Sequence, residues 1–413
     1  MLYDLHEWQR SMLAPLVNLS SQGSELFSSP YSPWSYTPVS RQIAAGYELL
    51  YRLGKEYEKP QWQISEVKVG NKQVAVHEST ALRLPFCQLV HFEREGITKP
   101  APKMLVVAPM SGHHATLLRD TVRTLLRDHD VYVTDWIDAR MVPLSAGSFH
   151  LNDYVRYVQH FLHELGPETH VIAVCQPTVP VLAAVSLMAA ARDASQPRSM
   201  ILMGGPIDPR QSPTAVNSLA TTKPYSWFEN NLIHRVPPRY AGVGRKVYPG
   251  FLQHTGFISM NPDRHMMSHY EFYQHLLKGD DEDAEAHRRF YDEYNAVMDM
   301  SAEFYLDTIK TVFQEYALPR GLWEVDNIAV QPEKIQNLHL LTIEGELDDI
   351  SGLGQTQAAH KLCSGLNEAH KQHYTVGGAG HYGIFSGRRW RNQVYPKIRD
   401  FVQAAEAHAA KSA

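Results

Sequence analysis

The chain has 413 residues, a net charge of −5 and 44% hydrophobic residues, a balance typical of globular proteins with a large core. That charge gives no reason to expect a nucleic-acid partner. The longest apolar runs, such as 104–110, fall well short of the roughly 20 residues that a membrane span needs. The first residues lack the pattern of a secretory signal, and the three cysteines form no CxxC pair. We therefore expect a cytoplasmic protein with reduced thiols.

Residues 1–55 are expected to form an N-terminal segment of helical and extended chain. Apolar residues at helical spacing predict an amphipathic helix over residues 1–17, namely Leu2, Leu5, Trp8, Met12 and Leu16. Residues 18–39 are rich in Ser, Pro and aromatics and predict an extended segment, after which 40–55 predicts a second helix. The first helix either packs on the core or contacts an apolar surface or partner.

Residues 56–205 and 338–413 carry the pattern of an α/β core. The predicted strands lie at 63–68, 73–83, 86–94, 104–109, 131–136, 171–175, 200–204, 338–343 and 373–376. The predicted helices between and after them lie at 115–128, 151–165, 179–191 and 393–409. From residue 103 strands and helices alternate, and the strands are continuously apolar. This alternation indicates a mostly parallel sheet that helices cover on both faces.

Residues 206–337 interrupt the alternation and predict a large cap inserted before the strand at 338–343. The cap begins with an aromatic and proline-rich stretch and becomes helical later. Its acidic run at 280–283 predicts a helix start or loop rather than a metal site. His265 and His269 have the spacing of a metalloprotease pair but lack its Glu. The adjacent histidines His113 and His114 have no carboxylate or cysteine at the spacing of a further metal ligand. We therefore expect no metal and no cofactor.

Three residues at strand ends predict a nucleophilic triad. Cys175 ends an apolar strand and precedes a helix, which is how α/β-hydrolases present a nucleophile, although Ala173 and Pro177 replace the usual glycines. An acid, Asp348, follows the strand at 338–343, and His381 follows the strand at 373–376. The order nucleophile, acid, histidine is the one that this fold uses. Asp348 is preferred to its neighbour, residue 349, because the Gly-x-x-Asp-x-Ile phrase puts the acid fourth.

Such a site also needs backbone donors for a tetrahedral oxyanion. One expected donor is the amide of Gln176, directly after the nucleophile. The other comes from the loop after the strand at 104–109, where we favour the amide of Ser111, with Met110 and Gly112 as alternatives. Each of the triad residues also has an ordinary structural interpretation, and only their joint placement favours catalysis.

Four segments resemble the intracellular polyhydroxyalkanoate (polyhydroxybutyrate, PHB) depolymerases. They are Met-Leu-Tyr-Asp-Leu-His-Glu at the start, Ala-Val-Cys-Gln-Pro at the predicted elbow, Glu-Gly-Glu-Leu-Asp-Asp-Ile-Ser-Gly, and Gly-Gly-Ala-Gly-His-Tyr-Gly-Ile-Phe-Ser-Gly-Arg-Arg-Trp. The resemblance runs nearly end to end. It implies hydrolysis of amorphous storage polyester by an enzyme on cytoplasmic granules, through a cysteine nucleophile and an acyl-cysteine intermediate.

An apolar polyester offers no charge to recognise, so aromatic side chains of the cap are candidate contacts. We name Tyr225, Trp227 and Phe228, each of which could instead only join the cap to the core. The expected partner is the polymer or granule surface, and a homodimer is left open. The alternatives are a polyester synthase, which would carry a Gly-x-Cys-x-Gly elbow, a non-catalytic granule protein with a hydrolase fold, and a general esterase or thioesterase.

Overall fold

The computed structural model describes residues 2–97, 101–260 and 262–412. In chain order the strands are β1 (Glu66–Val69), β2 (Lys72–Arg83), β3 (Cys87–Arg94), β4 (Lys103–Val107), β5 (Asp130–Trp136), β6 (Thr169–Val174), β7 (Ser199–Met203), β8 (His234–Arg235), β9 (Lys246–Tyr248), β10 (Met300–Ser301), β11 (Glu324–Val325), β12 (Ile328–Ala329), β13 (His339–Gly345) and β14 (Lys371–Val376). The predicted core strands are confirmed to within a few residues.

The helices in chain order are α1 (Leu2–Ser28), α2 (Ser40–Gly54), α3 (Arg119–Leu125), α4 (Leu151–Leu165), α5 (Thr178–Ala190), α6 (Ala215–Thr222), α7 (Tyr225–Leu232), α8 (Gly250–Met260), α9 (Pro262–Lys278), α10 (Asp281–Tyr294), α11 (Ala302–Thr308), α12 (Ala359–Leu362), α13 (Gly387–Arg389) and α14 (Tyr395–Ser412). Short 3₁₀ turns join several of them, including Ala115–Leu118 and His381–Ile384. No helix in the described ranges is both long and apolar enough to cross a membrane.

The central sheet has the strand order β1-β2-β3-β5-β4-β6-β7-β13-β14. The six strands β5, β4, β6, β7, β13 and β14 run parallel to one another. At one edge of the sheet, β1, β2 and β3 pair antiparallel with their neighbours. Every residue of β6 and β7 is buried, because helices cover both faces of the central strands. The predicted fold class, an α/β-hydrolase fold with a mostly parallel sheet, is confirmed.

The chain between β7 and β13 contains α6 to α11 and the short strands β8 to β12. These strands form a three-stranded and a two-stranded sheet that do not pair with the central one. The acidic run at 280–283 lies at the start of α10, where the Asp280 carboxylate accepts a hydrogen bond from the Asp283 amide at 3.3 Å. This contact is an N-cap, which satisfies one of the unpaired amides of the first helical turn.

The N-terminal prediction was wrong in one respect, since residues 18–28 continue α1 instead of forming extended chain. The sequence there contains four serines, Asn18 and Gly23, which have low intrinsic helix propensity, so tertiary packing supplies the stabilisation. Gly23 lies so close to the Tyr47 ring of α2 that a Cβ would be 2.8 Å from it. The Phe27 ring also stacks near the Tyr47 ring, with centroids 6.4 Å apart. The residues that hold this part of α1 are therefore on α2.

Candidate active site

Cys175 lies on a sharp turn between β6 and α5. Its φ of +69° is in the left-handed region, which costs a non-glycine residue on the order of 1–3 kcal/mol. Two backbone hydrogen bonds hold the turn: the Cys175 amide donates to the Met203 carbonyl at 2.7 Å, and the Thr178 amide donates to the Cys175 carbonyl at 3.1 Å. The thiol is half-buried. A strained residue at the carboxyl end of a central strand is the geometry of a nucleophile elbow.

The space that this turn needs is provided by the neighbouring strand. Gly205 follows β7, and a Cβ on it would lie 2.3 Å from the Cys175 carbonyl oxygen and 1.9 Å from Thr178 Oγ1. No side chain larger than hydrogen fits there. The glycines that are missing from positions 173 and 177 are thus offset by a glycine just after the strand beside the turn.

His381 joins the other two predicted triad residues. Its Nδ1 is 2.8 Å from Asp348 Oδ2, and both side chains are buried. Cys175 neighbours the same imidazole and contributes to its electrostatics. The second carboxylate oxygen of Asp348 accepts hydrogen bonds from the amides of Ile350 at 2.9 Å and Ser351 at 2.8 Å. The structure therefore brings all three predicted residues together and fixes the carboxylate from both sides.

The electrostatics favour a charged histidine. Burial lowers the pKa of His381, but the charges of Cys175 and Asp348 and their hydrogen bonds outweigh burial and raise this pKa well above its usual value. A protonated imidazole beside a thiol stabilises the thiolate, which is the nucleophilic form of cysteine. The site can thus hold a thiolate–imidazolium pair. By contrast, burial raises the pKa of the Cys87 thiol, and that of the Cys363 thiol to about 12.

Glu344 is a positioning residue that the sequence analysis missed. It is buried in β13, and its carboxylate accepts hydrogen bonds from three amides of the loop that follows: Gly354 at 2.9 Å, Thr356 at 2.7 Å and Gln357 at 2.9 Å. Asp348 lies in that loop, so Glu344 holds the loop in the shape that presents the acid. The available signal was a carboxylate directly after the predicted strand at 338–343, because such a group must be hydrogen-bonded when buried.

The two predicted oxyanion donors lie at the same edge of the sheet. Gln176 follows Cys175 directly, and Ser111 is half-buried in the loop after β4, the strand that pairs with β6. Within the described ranges the Gln176 amide donates no hydrogen bond to a protein acceptor. That amide is therefore free to donate to a ligand.

The Gln176 side chain is a second feature that the sequence analysis missed. Both polar atoms of its amide are buried without a hydrogen-bond partner among the described residues. The Thr178 hydroxyl, two residues further on, is also buried and unpartnered. Unpartnered polar atoms beside the strained Cys175 turn are suited to binding a polar group of a ligand.

Helices between β7 and β13 contact the loop that carries Ser111. The His113 ring stacks on Phe257 of α8 with centroids 4.8 Å apart, and its Nε2 lies 3.1 Å from the carbonyl oxygen of Tyr294. Burial lowers the pKa of His113 to about 4, so this ring is a neutral packing group. The contacts attach α8 and the end of α10 to the loop after β4.

The three predicted polymer contacts do not lie in one environment. Phe228 is fully buried in a small cluster with Ala220, Leu306 and Ile309, which are packing contacts. Trp227 is half-buried against that cluster. Tyr225 is exposed and lines an open cleft of about 800 Å³ whose lining includes none of the triad residues.

His265 and His269 have aromatic neighbours. The two ring nitrogens of His265 lie 3.0 Å from the Tyr291 hydroxyl and 3.2 Å from the Tyr294 hydroxyl. The His269 ring packs on Tyr291, with centroids 4.4 Å apart. These contacts are those of structural histidines that connect α9 to α10.

The sheet and the elbow together define an α/β-hydrolase. Residues 204–406 match the family described as PHB de-polymerase C-terminus. The match supports a carboxylic ester hydrolase. The matched span includes Asp348 and His381, whereas Cys175 lies before it.

Solved structures similar to this chain include two ester hydrolases. The monoacylglycerol lipase of Paleococcus ferrophilus has 13% identity and a TM-score of 0.44, and the match covers 74% of this chain and 96% of the lipase. A thermophilic esterase from Thermogutta terrifontis has 12% identity and a TM-score of 0.41, with 81% and 99% covered. A search of curated proteins found no match.

Proposed function

We propose that the protein is a depolymerase that cleaves the ester bonds of amorphous poly(3-hydroxybutyrate) through a Cys175–His381–Asp348 triad. The observation that carries the chemistry is the His381 imidazole, whose Nδ1 lies 2.8 Å from Asp348 Oδ2 and whose pKa is raised by the neighbouring Cys175 and Asp348. The polyester substrate rests on the family match of residues 204–406 and on the resemblance of the N-terminal segment and the elbow.

In this mechanism the Cys175 thiolate attacks an ester carbonyl and forms a carbon–sulfur bond. The negative charge on the carbonyl oxygen is stabilised by the amides of Gln176 and Ser111. His381 then donates its proton to the departing 3-hydroxyl oxygen, the carbon–oxygen bond breaks, and a thioester remains on the enzyme. Water, deprotonated by His381, hydrolyses the thioester, which releases a 3-hydroxy acid and restores the thiol. Asp348 orients the imidazole throughout.

We further propose three parts of the chain: residues 1–55 as an N-terminal segment, 56–205 with 338–413 as the hydrolase core, and 206–337 as a cap. The stacking of Phe257 on His113 supports placing the cap beside the loop that supplies Ser111. Tyr225 and Trp227 remain proposed polymer contacts.

The products of amorphous polymer test this proposal. Amorphous granules are incubated with the enzyme, with and without coenzyme A, and the soluble products are identified by mass spectrometry. We expect 3-hydroxybutyric acid or its oligomers without coenzyme A, and a 3-hydroxybutyryl adduct on the Cys175 peptide after acid quenching. If soluble products appeared only in the presence of coenzyme A, and then as acyl-coenzyme A, hydrolysis would be contradicted. Chain growth from thioester monomers would favour the synthase alternative.

We propose that α1 attaches the enzyme to the granule. One face of this helix exposes large apolar side chains, with Trp8 60%, Met12 61% and Leu16 58% exposed. The opposite face is buried through Tyr3 and Glu7. Exposed apolar surface of this extent on one helix indicates an interaction site, and an apolar polyester surface is the partner that the proposed substrate provides.

Substituting Trp8, Met12 and Leu16 by Gln is expected to weaken binding to amorphous granules by at least about tenfold. The reason is that burying each of these side chains against the granule would contribute on the order of 1.5–3 kcal/mol of binding free energy. Hydrolysis of a short soluble ester should be unchanged. Cosedimentation with granules measures the binding. The matched control substitutes three equally exposed apolar residues elsewhere by Gln, namely Leu144, Leu322 and Ile328. Equal granule binding by both triple variants would contradict the role of α1.

A further inference from the structure

We propose that His339, His370 and His408 form a binding site for a late first-row divalent cation such as Zn²⁺. Each histidine offers one ring nitrogen, and these three nitrogens all lie within 4.8 Å of one another. His339 is the first residue of β13, His370 directly precedes β14, and His408 lies on α14. The site is at the amino ends of the parallel strands, the opposite edge of the sheet from Cys175.

The three rings face one another closely. The ring centroids of His339 and His370 are 4.4 Å apart, those of His370 and His408 are 4.9 Å apart, and those of His339 and His408 are 5.3 Å apart. A Zn–N distance of about 2.0–2.1 Å places tetrahedral ligand nitrogens ~3.4 Å from one another. Small rotations of the side chains would therefore bring the nitrogens onto a shared ion.

Two of the ring nitrogens need a partner. His339 Nε2 and His370 Nδ1 are buried, and neither has a hydrogen-bond partner among the described residues. A buried polar atom that is left unpaired costs on the order of 1–3 kcal/mol, and a metal ion that accepts its lone pair removes that cost.

The ligand set selects the class of cation. Three imidazoles without a carboxylate suit Zn²⁺, Ni²⁺ or Cu²⁺ and do not suit Mg²⁺ or Ca²⁺, which prefer oxygen ligands. Because His408 is exposed, water can occupy a fourth position. A bound ion would tie α14 to the starts of β13 and β14, so it would stabilise the folded chain and leave the active-site edge unaffected.

The test uses the full chain with Co²⁺ as a spectroscopic probe, in a Cys175→Ser background because a reactive thiolate also binds metals. The variants His370→Ala and His408→Ala are compared with His275→Ala. The control residue belongs to another potential ligand set, with Asp280 and Asp283, and its Nδ1 lies 3.3 Å from the Asp280 carboxylate. Visible absorption measures Co²⁺ binding, and thermal unfolding with one equivalent of Zn²⁺ measures the stabilisation.

We expect one Co²⁺ per chain with the intense visible bands of a tetrahedral site. Affinity should fall at least about tenfold in His370→Ala and His408→Ala and stay unchanged in His275→Ala. Zn²⁺ should raise the Tm of the background chain and not that of His408→Ala. His408 is exposed, so its variant keeps the test valid if His370→Ala does not fold. Undiminished Co²⁺ binding in His408→Ala, or loss only in His275→Ala, would overturn the proposal.

Discussion

Replacing Cys175 by Ala is expected to lower the rate of 3-hydroxybutyrate release from amorphous granules by about 10⁴-fold or more, because the acyl-enzyme can no longer form. The remaining oxyanion donors and the bound substrate would give only the residual catalysis that such sites keep without a nucleophile. The change removes one half-buried sulfur, so Tm should move by only a few degrees. Product release is measured by mass spectrometry and folding by thermal unfolding.

The matched control for this variant is Cys363→Ala. The Cys363 thiol is fully buried and its pKa is raised to about 12, so it has no nucleophilic role, and its substitution should reduce stability while the release rate is retained. Iodoacetamide should label the native chain at Cys175 and not at the two buried thiols. Normal release by a folded Cys175→Ala chain would exclude the cysteine mechanism.

The sequence allowed the placement of Cys175, Asp348 and His381 at one edge of the sheet to be predicted, because all three follow strands of a parallel sheet. Cys175, Asp348 and His381 each follow a strand whose apolar run is readable, and the carboxyl ends of parallel strands meet at one edge of the sheet. The strand pairs β6–β7, β7–β13 and β13–β14 place these ends side by side. Chain order and strand ends were therefore enough, without any knowledge of distances.

Other features depend on contacts that no local pattern encodes. The room for the Cys175 turn comes from Gly205, just after the neighbouring strand β7, and the residues at positions 173 and 177 do not indicate it. Helix α1 reaches Ser28 because of contacts with α2, which propensity alone cannot predict. The Gln176 sequence position suggested a backbone donor, and only burial reveals the unpartnered side-chain amide.

Replacing Asp348 by Asn is expected to lower kcat by about 10⁴-fold, the size of the effect when the corresponding acid of a serine protease is replaced. An Asn at 348 can still accept hydrogen bonds from the Ile350 and Ser351 amides through its oxygen. Its NH₂ group would then face His381 Nδ1, which favours the wrong tautomer of the imidazole. The variant should therefore fold normally and bind polymer, while kcat for a soluble ester falls and KM changes little.

The pH dependence separates this charge effect from a loss of structure. Asp348 is one of the groups that raise the pKa of His381, so its neutralisation lowers that pKa. The thiolate–imidazolium pair exists only below the pKa of His381, and the alkaline limb of the pH–rate profile should therefore move to lower pH in Asp348→Asn. The adjacent Asp349 is exposed, and Asp349→Asn supplies the matched control with an unshifted limb and a rate near that of the native chain. If both variants lost activity equally, Asp348 would not be the acid that orients His381.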